Sequence, residues 1–337
     1  MKAIRHTGVT TLGAVHVMDV YPTPPRADEV QVRLHAAAIN HRDLWLLAGK
    51  IQEPFTLGAD GAGVIEAVGA HVTGWQRGDA VIINPALAWG TRDDTYSGDF
   101  AILGSPQHDG TFAELITIAA ESVYARPPHL SVAEAAALPL AGVTAYRALV
   151  SRAQVQPGEQ VLIHGIGGGV AQAALQFALA LGVRVAVTST SDAKLTRAKF
   201  MGAELGVNTH AKGWQDTIRA WTQGRGVDVV LESIGGEMFV ASLRVLRPGG
   251  RIVTYGTTGQ DTATIDLSDV FWSQFLILGS TLGSPHDFAQ MLALVNQHAI
   301  KPILDATFAL PHIHSAFERM RERHQFGKIV VQIAEER

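Results

Sequence analysis

Apolar residues run unbroken through Val161-Leu-Ile163, give way to glycine at Gly165, Gly167, Gly168 and Gly169, and resume as Ala174-Leu-Gln-Phe-Ala-Leu-Ala-Leu181. A short apolar run, a glycine break and a longer apolar stretch predict a strand, a turn and a helix. The alternation continues. Val183-Arg-Val-Ala-Val187 reads as a second strand, Ala193 to Met201 as a helix stopped by Gly202, and Val227-Asp-Val-Val-Leu231 and Arg251-Ile-Val-Thr-Tyr255 as further strands. Strands alternating with helices imply a parallel sheet covered on both faces.

Up to about Val123 the pattern is different. Lys2 to Arg5, Val15 to Val20 and Glu29 to Ala36 are short strand-like runs broken by Pro22, Pro24 and Pro25, and the alternation of Val30, Val32 and Leu34 marks a half-buried strand. Leu57 to Gly69 and Gly78 to Ile83 place glycines inside strands, the behaviour of a small curled barrel. Asn84 to Asp109 has little periodicity, and a loop that long usually has a function or the remnant of one.

Ser131-Val-Ala-Glu134 reads as a capping box opening a helix to Leu138; Pro139 interrupts it, and Gly142 to Leu149 forms another. After the strand Phe275 to Ser280 come a helix from Pro285 to Gln297, a strand near Ala306 to Phe308, a helix from His312 to His324 and a closing strand, Lys328 to Ile333. One doubly wound sheet is complete by Ser280, so the tail is expected to return to the first domain. The fold class is α/β. The expected division is 1–124 for a β-rich domain, 125–266 for the parallel-sheet domain, and 267–337 for its last strand and the return.

Composition narrows the function classes. At 337 residues the chain exceeds the ~100–200 residues of one domain. Its 27 basic against 31 acidic residues leave a net charge of −4, which gives no electrostatic footprint for nucleic acid or an anionic membrane. No segment has the ~18 unbroken apolar residues of a spanning helix and no leader pattern stands at the start, so a cytoplasmic location is expected. With no cysteine, disulfides, thiolate catalysis and thiolate metal sites are excluded.

The glycine turn carries the strongest chemical signal. A strand feeding a glycine turn that opens a helix leaves backbone N–H groups unpaired where the helix dipole favours an anion such as a diphosphate. Read as Gly165-x-x-Gly168-x-x-Ala171, it is a variant of the dinucleotide fingerprint, with Gly167, Gly169 and Val170 completing the cradle.

These pieces together resemble the medium-chain dehydrogenase/reductase superfamily over essentially the whole chain. The carriers are Gly58-x-Asp60-Gly61-x-Gly63 with Gly69 and Val72, Gly78-Asp79-x-Val81, Gly142-Val-Thr144-Ala-Tyr146 and the Gly165 to Ala171 turn. The resemblance implies a GroES-like catalytic domain built from both chain ends, a Rossmann domain in the middle, a nicotinamide in the cleft between them, and hydride transfer. Zinc alcohol dehydrogenases of this superfamily hold their catalytic metal at positions matched here by Asn40, Ala59 and Leu140, none a competent zinc ligand. His41 and Asp60 stand beside two of them without completing a ligand set. The Asn84 to Asp109 loop corresponds to a lobe that carries a structural zinc on four cysteines, all missing here. The chain therefore looks most like the zinc-free, quinone-oxidoreductase-like branch. Asn40-His-Arg-Asp43 matches that branch's Asn-x-x-Asp near the nicotinamide, although Trp45 stands where a tyrosine is usual.

By the family pattern the tip of the second Rossmann strand falls on Ser189. An NAD-preferring unit places Asp or Glu there. Thr188-Ser189-Thr190-Ser191 offers hydroxyls instead, and Lys194 opens a helix where it meets a 2′-phosphate, so NADPH is expected over NADH. Asp192 reads as an N-cap. Gly256, Ser280, Thr281 and Leu282 follow sheet strands at the edge where such folds bind ligands, and Lys328, opening the last strand, reads either as a cofactor contact or as a surface lysine.

Without a Lewis acid, reduction of an already electron-poor acceptor is the expected chemistry, with Asn40 donating a hydrogen bond to developing charge and Thr144 positioning nicotinamide or substrate. Asp43 and His41 are candidates for proton relay, and Asp60 reads as a brace for its glycine turn. The expectation is a zinc-independent, NADPH-dependent reductase of a quinone or an α,β-unsaturated carbonyl compound. The alternatives are a lapsed dinucleotide-binding sensor and an alcohol dehydrogenase with atypical zinc ligands. The resemblance also suggests a homodimer formed through the edge strand near Phe275 to Ser280.

Overall fold

The computed structural model describes residues 1–8, 12–48 and 54–335. It contains two compact units, Met1–Ala141 with Ser284–Arg337, and Gly142–Gly283. The first boundary lies later than the 125 suggested by the sequence, and the second falls inside the 267–337 segment that was expected to hold the last strand and the return. The capped helix Val132–Ala136 belongs to the first unit, where Asp60 accepts the backbone N–H of Leu140. Leu276–Gly279 stays in the second because it pairs in parallel with Leu246–Thr254.

In the first unit the longest strand, Glu29–Ala38, lies between Asp60–Val68 and the closing strand Lys328–Gln332, antiparallel to both. Its end therefore meets the beginnings of its two neighbours. Ala38 is opposite both Asp60 and Val330, and the next two residues, Ile39 and Asn40, run on beside Lys328. The expected return of the tail takes this form: Leu304–Ala309 pairs in parallel with Lys328–Gln332 at the edge of the sheet. A fully buried core of Ile4, Leu57, Phe112, Phe317 and Val331 stitches the chain's two ends together. At ~25 cal/mol per Å² such side chains each contribute on the order of 2 kcal/mol. Glycines inside the strands permit close approach: a Cβ on Gly63 would lie 1.9 Å from the carbonyl oxygen of Arg33.

The loop from Asn84 to Asp109 is not without structure. Ala86–Leu87 pairs with Ala101–Ile102, and Trp89 packs edge-on against Tyr96 and Phe100 at 5.9 and 5.2 Å. An aromatic cluster supplies the lobe's core.

The second unit is a six-stranded parallel sheet in the order Leu205–Asn208, Arg184–Ser189, Gln160–Ile163, Val227–Glu232, Leu246–Thr254, Leu276–Gly279. Order reverses beside Gln160–Ile163, the strand that feeds the glycine turn, and the crevice at such a reversal is where doubly wound sheets bind ligands. Val161, Leu162, Val185, Val187, Val229 and Val230 are wholly buried, as a sheet covered on both faces requires. Leu205–Asn208 and the helices His41–Ala48, Trp214–Trp221, Gly236–Leu243 and Leu267–Ser273 were not legible as elements in the sequence. Among the described residues no helix is long and apolar enough to cross a membrane.

Candidate functional site

The glycine turn has the shape a diphosphate needs. Gly165 takes φ +67°, and a Cβ built there meets nothing within 4 Å, so any side chain would project into the open space above the turn. The helix Gly169–Ala180 starts from Gly168 with no side-chain cap, and its first internal bond is Gln172 N–H to Gly168 O. Its earlier N–H groups are thus available to an anion. This cradle fits a dinucleotide.

Because the strands are parallel, the residues after each one share an edge. That edge gathers Gly165 to Val170, Ser189, Thr190, Lys194, Gly256, Ser280, Thr281 and Leu282. Ser189 ends its strand, and its Oγ accepts the N–H of Ser191 at 3.1 Å. Lys194 lies in the first turn of the helix Asp192–Phe200. The N-cap of that helix is Ser191, not Asp192. The Asp192 carboxylate instead accepts from Asn208 Nδ2 at 2.8 Å. Ser280 Oγ is buried without a hydrogen-bond partner, and Leu282 is held at φ +36°, a strained conformation for a branched side chain.

Two residues that sequence reasoning passed over organise this edge. His164 is wholly buried between Thr188 Oγ1 and Ser242 Oγ, each 2.8 Å away. Ser242 gives its hydroxyl hydrogen to Met238 O, so His164 Nε2–H donates to Ser242 and Nδ1 accepts from Thr188. Burial pushes the imidazole down to about 4, which keeps it neutral. Glu232 accepts the N–H groups of Ile234 and Gly235 and shapes the loop before Gly236–Leu243. The only sequence signal for either was a polar residue at the end of an apolar strand.

The first unit holds a different kind of cluster. Lys328 Nζ donates to Ile39 O at 2.9 Å, Asn40 Oδ1 at 2.6 Å and Asp60 Oδ2 at 2.8 Å. Asn40 Nδ2 donates to the same Asp60 oxygen at 2.9 Å, and Leu140 N–H to Asp60 Oδ1 at 2.7 Å. The Lys328 and Asp60 side chains are 6% and 0% exposed. An ammonium has three hydrogens, and all three are accounted for inside this unit. Lys328 is therefore a buried strut, neither a surface lysine nor a donor with a hydrogen to spare for a cofactor. Asp60, expected only to brace its turn, is the hub. A carboxylate among glycines and alanines was the available clue, since a buried charge needs a partner.

Asn40 caps the helix His41–Ala48. Its N–H donates to Asp43 Oδ2 at 2.8 Å, and Asp43 N–H donates to Asn40 O at 3.0 Å. Asp43 is fully buried; its other oxygen has no hydrogen bond and lies 3.6 Å from Arg42 Nη1. Burial, partly offset by Arg42, pushes its carboxyl up to about 6. Arg42 Nη1 also donates to Leu103 O, tying the helix to the aromatic lobe. His41 is half-buried with its ring edge-on to Trp45, and burial together with Arg323 lowers its pKa. Thr144 is buried on Pro139–Tyr146, a helix that begins at Pro139 rather than at the expected Gly142, while the preceding capped helix ends before that proline, as expected. The structure thus brings Asn40, His41, Asp43 and Lys328 together in one unit and puts Thr144 and the other cofactor candidates in the other.

Residues 169–297 match the family model described as zinc-binding dehydrogenase, and residues 26–128 match the alcohol dehydrogenase GroES-like domain. The zinc-type alcohol dehydrogenase-like protein YogA of Leptosphaeria maculans is 34% identical, with 92% of each chain covered. The chain belongs to the medium-chain dehydrogenase/reductase superfamily. The human quinone oxidoreductase is 28% identical over 95% of this chain and 94% of its own. A solved NAD-dependent alcohol dehydrogenase superimposes with a TM-score of 0.94 at 35% identity, covering 99% of this chain and all of that one. The protein is an NAD(P)H-dependent oxidoreductase acting on a small molecule.

The residues at the family's catalytic metal position do not fit zinc. Among the described residues no group of three His, Cys, Asp or Glu side chains could hold a metal. Asp60, the carboxylate next to Ala59, already carries the Lys328 ammonium, so a dication there would have to sit beside a fixed positive charge.

Proposed function

We propose that this enzyme is a zinc-independent reductase that uses NADPH to reduce a quinone or an α,β-unsaturated carbonyl compound. The observation that carries this reading is the Asn40–Asp60–Lys328 cluster, which supplies hydrogen bonds and balanced charge where a metal-dependent relative needs ligands. When bound, the reduced nicotinamide supplies a hydride, with both electrons of its C–H bond, to the acceptor carbon. Negative charge then gathers on the acceptor oxygen, which takes a proton derived from water to give the reduced product. Asn40 offers that oxygen an amide hydrogen, and a neutral His41 at the start of the same helix passes the proton. Asp43 serves mainly to hold the helix start, since it is fully enclosed.

The hydroxyl strip Thr188 to Ser191, with no carboxylate at the strand tip on Ser189, supports NADPH. A second reading, an alcohol dehydrogenase that uses NADH, draws support from the name of the NAD-dependent relative. Incubating the purified protein with NADPH or NADH and a panel of quinones, enones and simple alcohols, while following nicotinamide absorbance, decides between them. Faster turnover of an enone or quinone with NADPH is expected; turnover confined to alcohols would refute the proposal.

The edge strand Leu276–Gly279 and the helix Leu267–Ser273 expose Leu267, Phe271, Trp272 and Leu276. An open strand edge beside such a patch suits pairing with a second copy. Sedimentation is expected to give twice the chain mass, and a monomer would contradict this.

A further inference from the structure

Asn40, Ala59 and Leu140 stand at the positions a catalytic zinc would tie together, and they are tied together without one. Lys328 grips Asn40 and the backbone of Ile39. Asp60, next to Ala59, grips Asn40, Lys328 and the N–H of Leu140. A tethered ammonium and a carboxylate close the same three segments that a metal would close.

The pairing also fixes which way the Asn40 amide faces. Lysine has only donors, so it must face Oδ1; an ionised carboxylate has only acceptors, so Asp60 must face Nδ2. One Nδ2 hydrogen goes to Asp60, which leaves the second as the donor these contacts do not use. The amide is also held from behind, because Asn40 N–H is fastened to Asp43. With Lys328 removed, Asp60 is left as a buried charge without its counter-ion; once it takes up a proton to stay neutral it can donate as well as accept, and nothing in this set then distinguishes the two ends of the amide.

Given the reductase reading above, we propose that Lys328 is a positioning residue: its buried ammonium occupies the place of the catalytic metal and holds the Asn40 amide with N–H toward the acceptor oxygen. It does not touch the cofactor or the acceptor. Its charge is balanced by Asp60, so the site stays neutral overall and can stabilise an oxyanion through one oriented donor rather than through a Lewis acid.

A test must separate this role from mere support of the fold. The double variant Lys328→Met with Asp60→Asn removes both charges, so no lone ion remains buried. It is expected to melt near wild type while kcat with an enone or quinone falls about 100-fold, as when one oriented donor is lost. NADPH affinity, from nicotinamide fluorescence, is expected to stay within about twofold, since Lys328 lies outside the cofactor contacts. In the single variant Lys328→Ala, ethylammonium chloride is expected to restore kcat saturably, while ethanol at equal concentration does not. A folded double variant with wild-type kcat overturns the proposal; so does a loss confined to NADPH affinity, or a folded Lys328→Ala variant that ethylammonium does not rescue. If the wild-type enzyme reduces no acceptor at all, the reductase reading fails first. Amide orientation can then still be read from the Asn40 side-chain NMR signals, which are expected to split into exchanging conformers in Lys328→Ala and to stay single in wild type; a single unchanged signal in the variant would overturn the proposal.

Discussion

The two units bury polar side chains in opposite ways. Around Asn40, the first unit buries whole charges and neutralises them in pairs, Lys328 with Asp60 and Arg42 beside Asp43. Around Gly165, the second unit presents backbone N–H groups and bare glycine, and His164, a deeply buried titratable brace, is kept uncharged. The difference follows from what each must hold. A diphosphate brings its own negative charge, so its cradle needs only aligned dipoles and room. A transient charge on an acceptor needs a donor already fixed in place, and fixing a short amide in a dry interior requires ionic partners on both sides of it.

Replacing Gly165 by valine strikes the second region hardest. A β-branched residue at φ +67° is strained, and its side chain would fill the space above the turn. Dinucleotide affinity, from fluorescence titration, is expected to fall by about 100-fold or more, while the first unit keeps its structure. Unchanged affinity would remove the turn from the cofactor site.

The charged region is probed through Asp43. Its carboxyl rises from 3.8 in the unfolded chain to about 6 in the fold, so the folded state binds the proton more tightly. Stability from this group is present below about 4 and is lost as pH rises through about 6, on the order of 3 kcal/mol in all. Asp43→Asn keeps the acceptor for Asn40 N–H and removes the charge. Denaturant unfolding is expected to show that this variant gains on wild type as pH rises across that window. A parallel pH dependence in the two proteins would refute the assignment.

The neutral region is expected to respond with the opposite sign. His164 falls from 6.5 to about 4 on folding, so the unfolded chain binds the proton more tightly, and stability drops as pH falls from 6.5 toward 4. His164→Gln, which keeps a donor and an acceptor without a titrating ring, is expected to cost about 1 kcal/mol at neutral pH and to flatten the acid-side loss. An acid-side slope equal to that of wild type would contradict the neutral brace.

The second region was far more legible in the sequence than the first. Strand, glycine turn and helix are local in the chain, so Val161 to Leu181 announces both its fold and its ligand. The first region is assembled from positions 40, 60, 140 and 328, which only the antiparallel register of three strands brings together. Lys328 could be noticed as a cation opening an apolar strand, but its partners could not be read without that register. The helix His41–Ala48 was hidden because it is short, its apolar residues run together from Leu44 to Ala48 without helical spacing, and its start is fixed by Asn40 and Asp43 rather than by a long periodic face.

The central claim is that hydride transfer here proceeds at a site closed by a tethered ammonium instead of a metal ion. The most direct measurement is the turnover of an enone or quinone with NADPH by protein dialysed against a strong chelator, with metal content determined on the same sample. Full activity in protein carrying far less than one zinc per chain is the predicted result. Activity that vanishes on chelation and returns in proportion to zinc added back, one per chain, would contradict it.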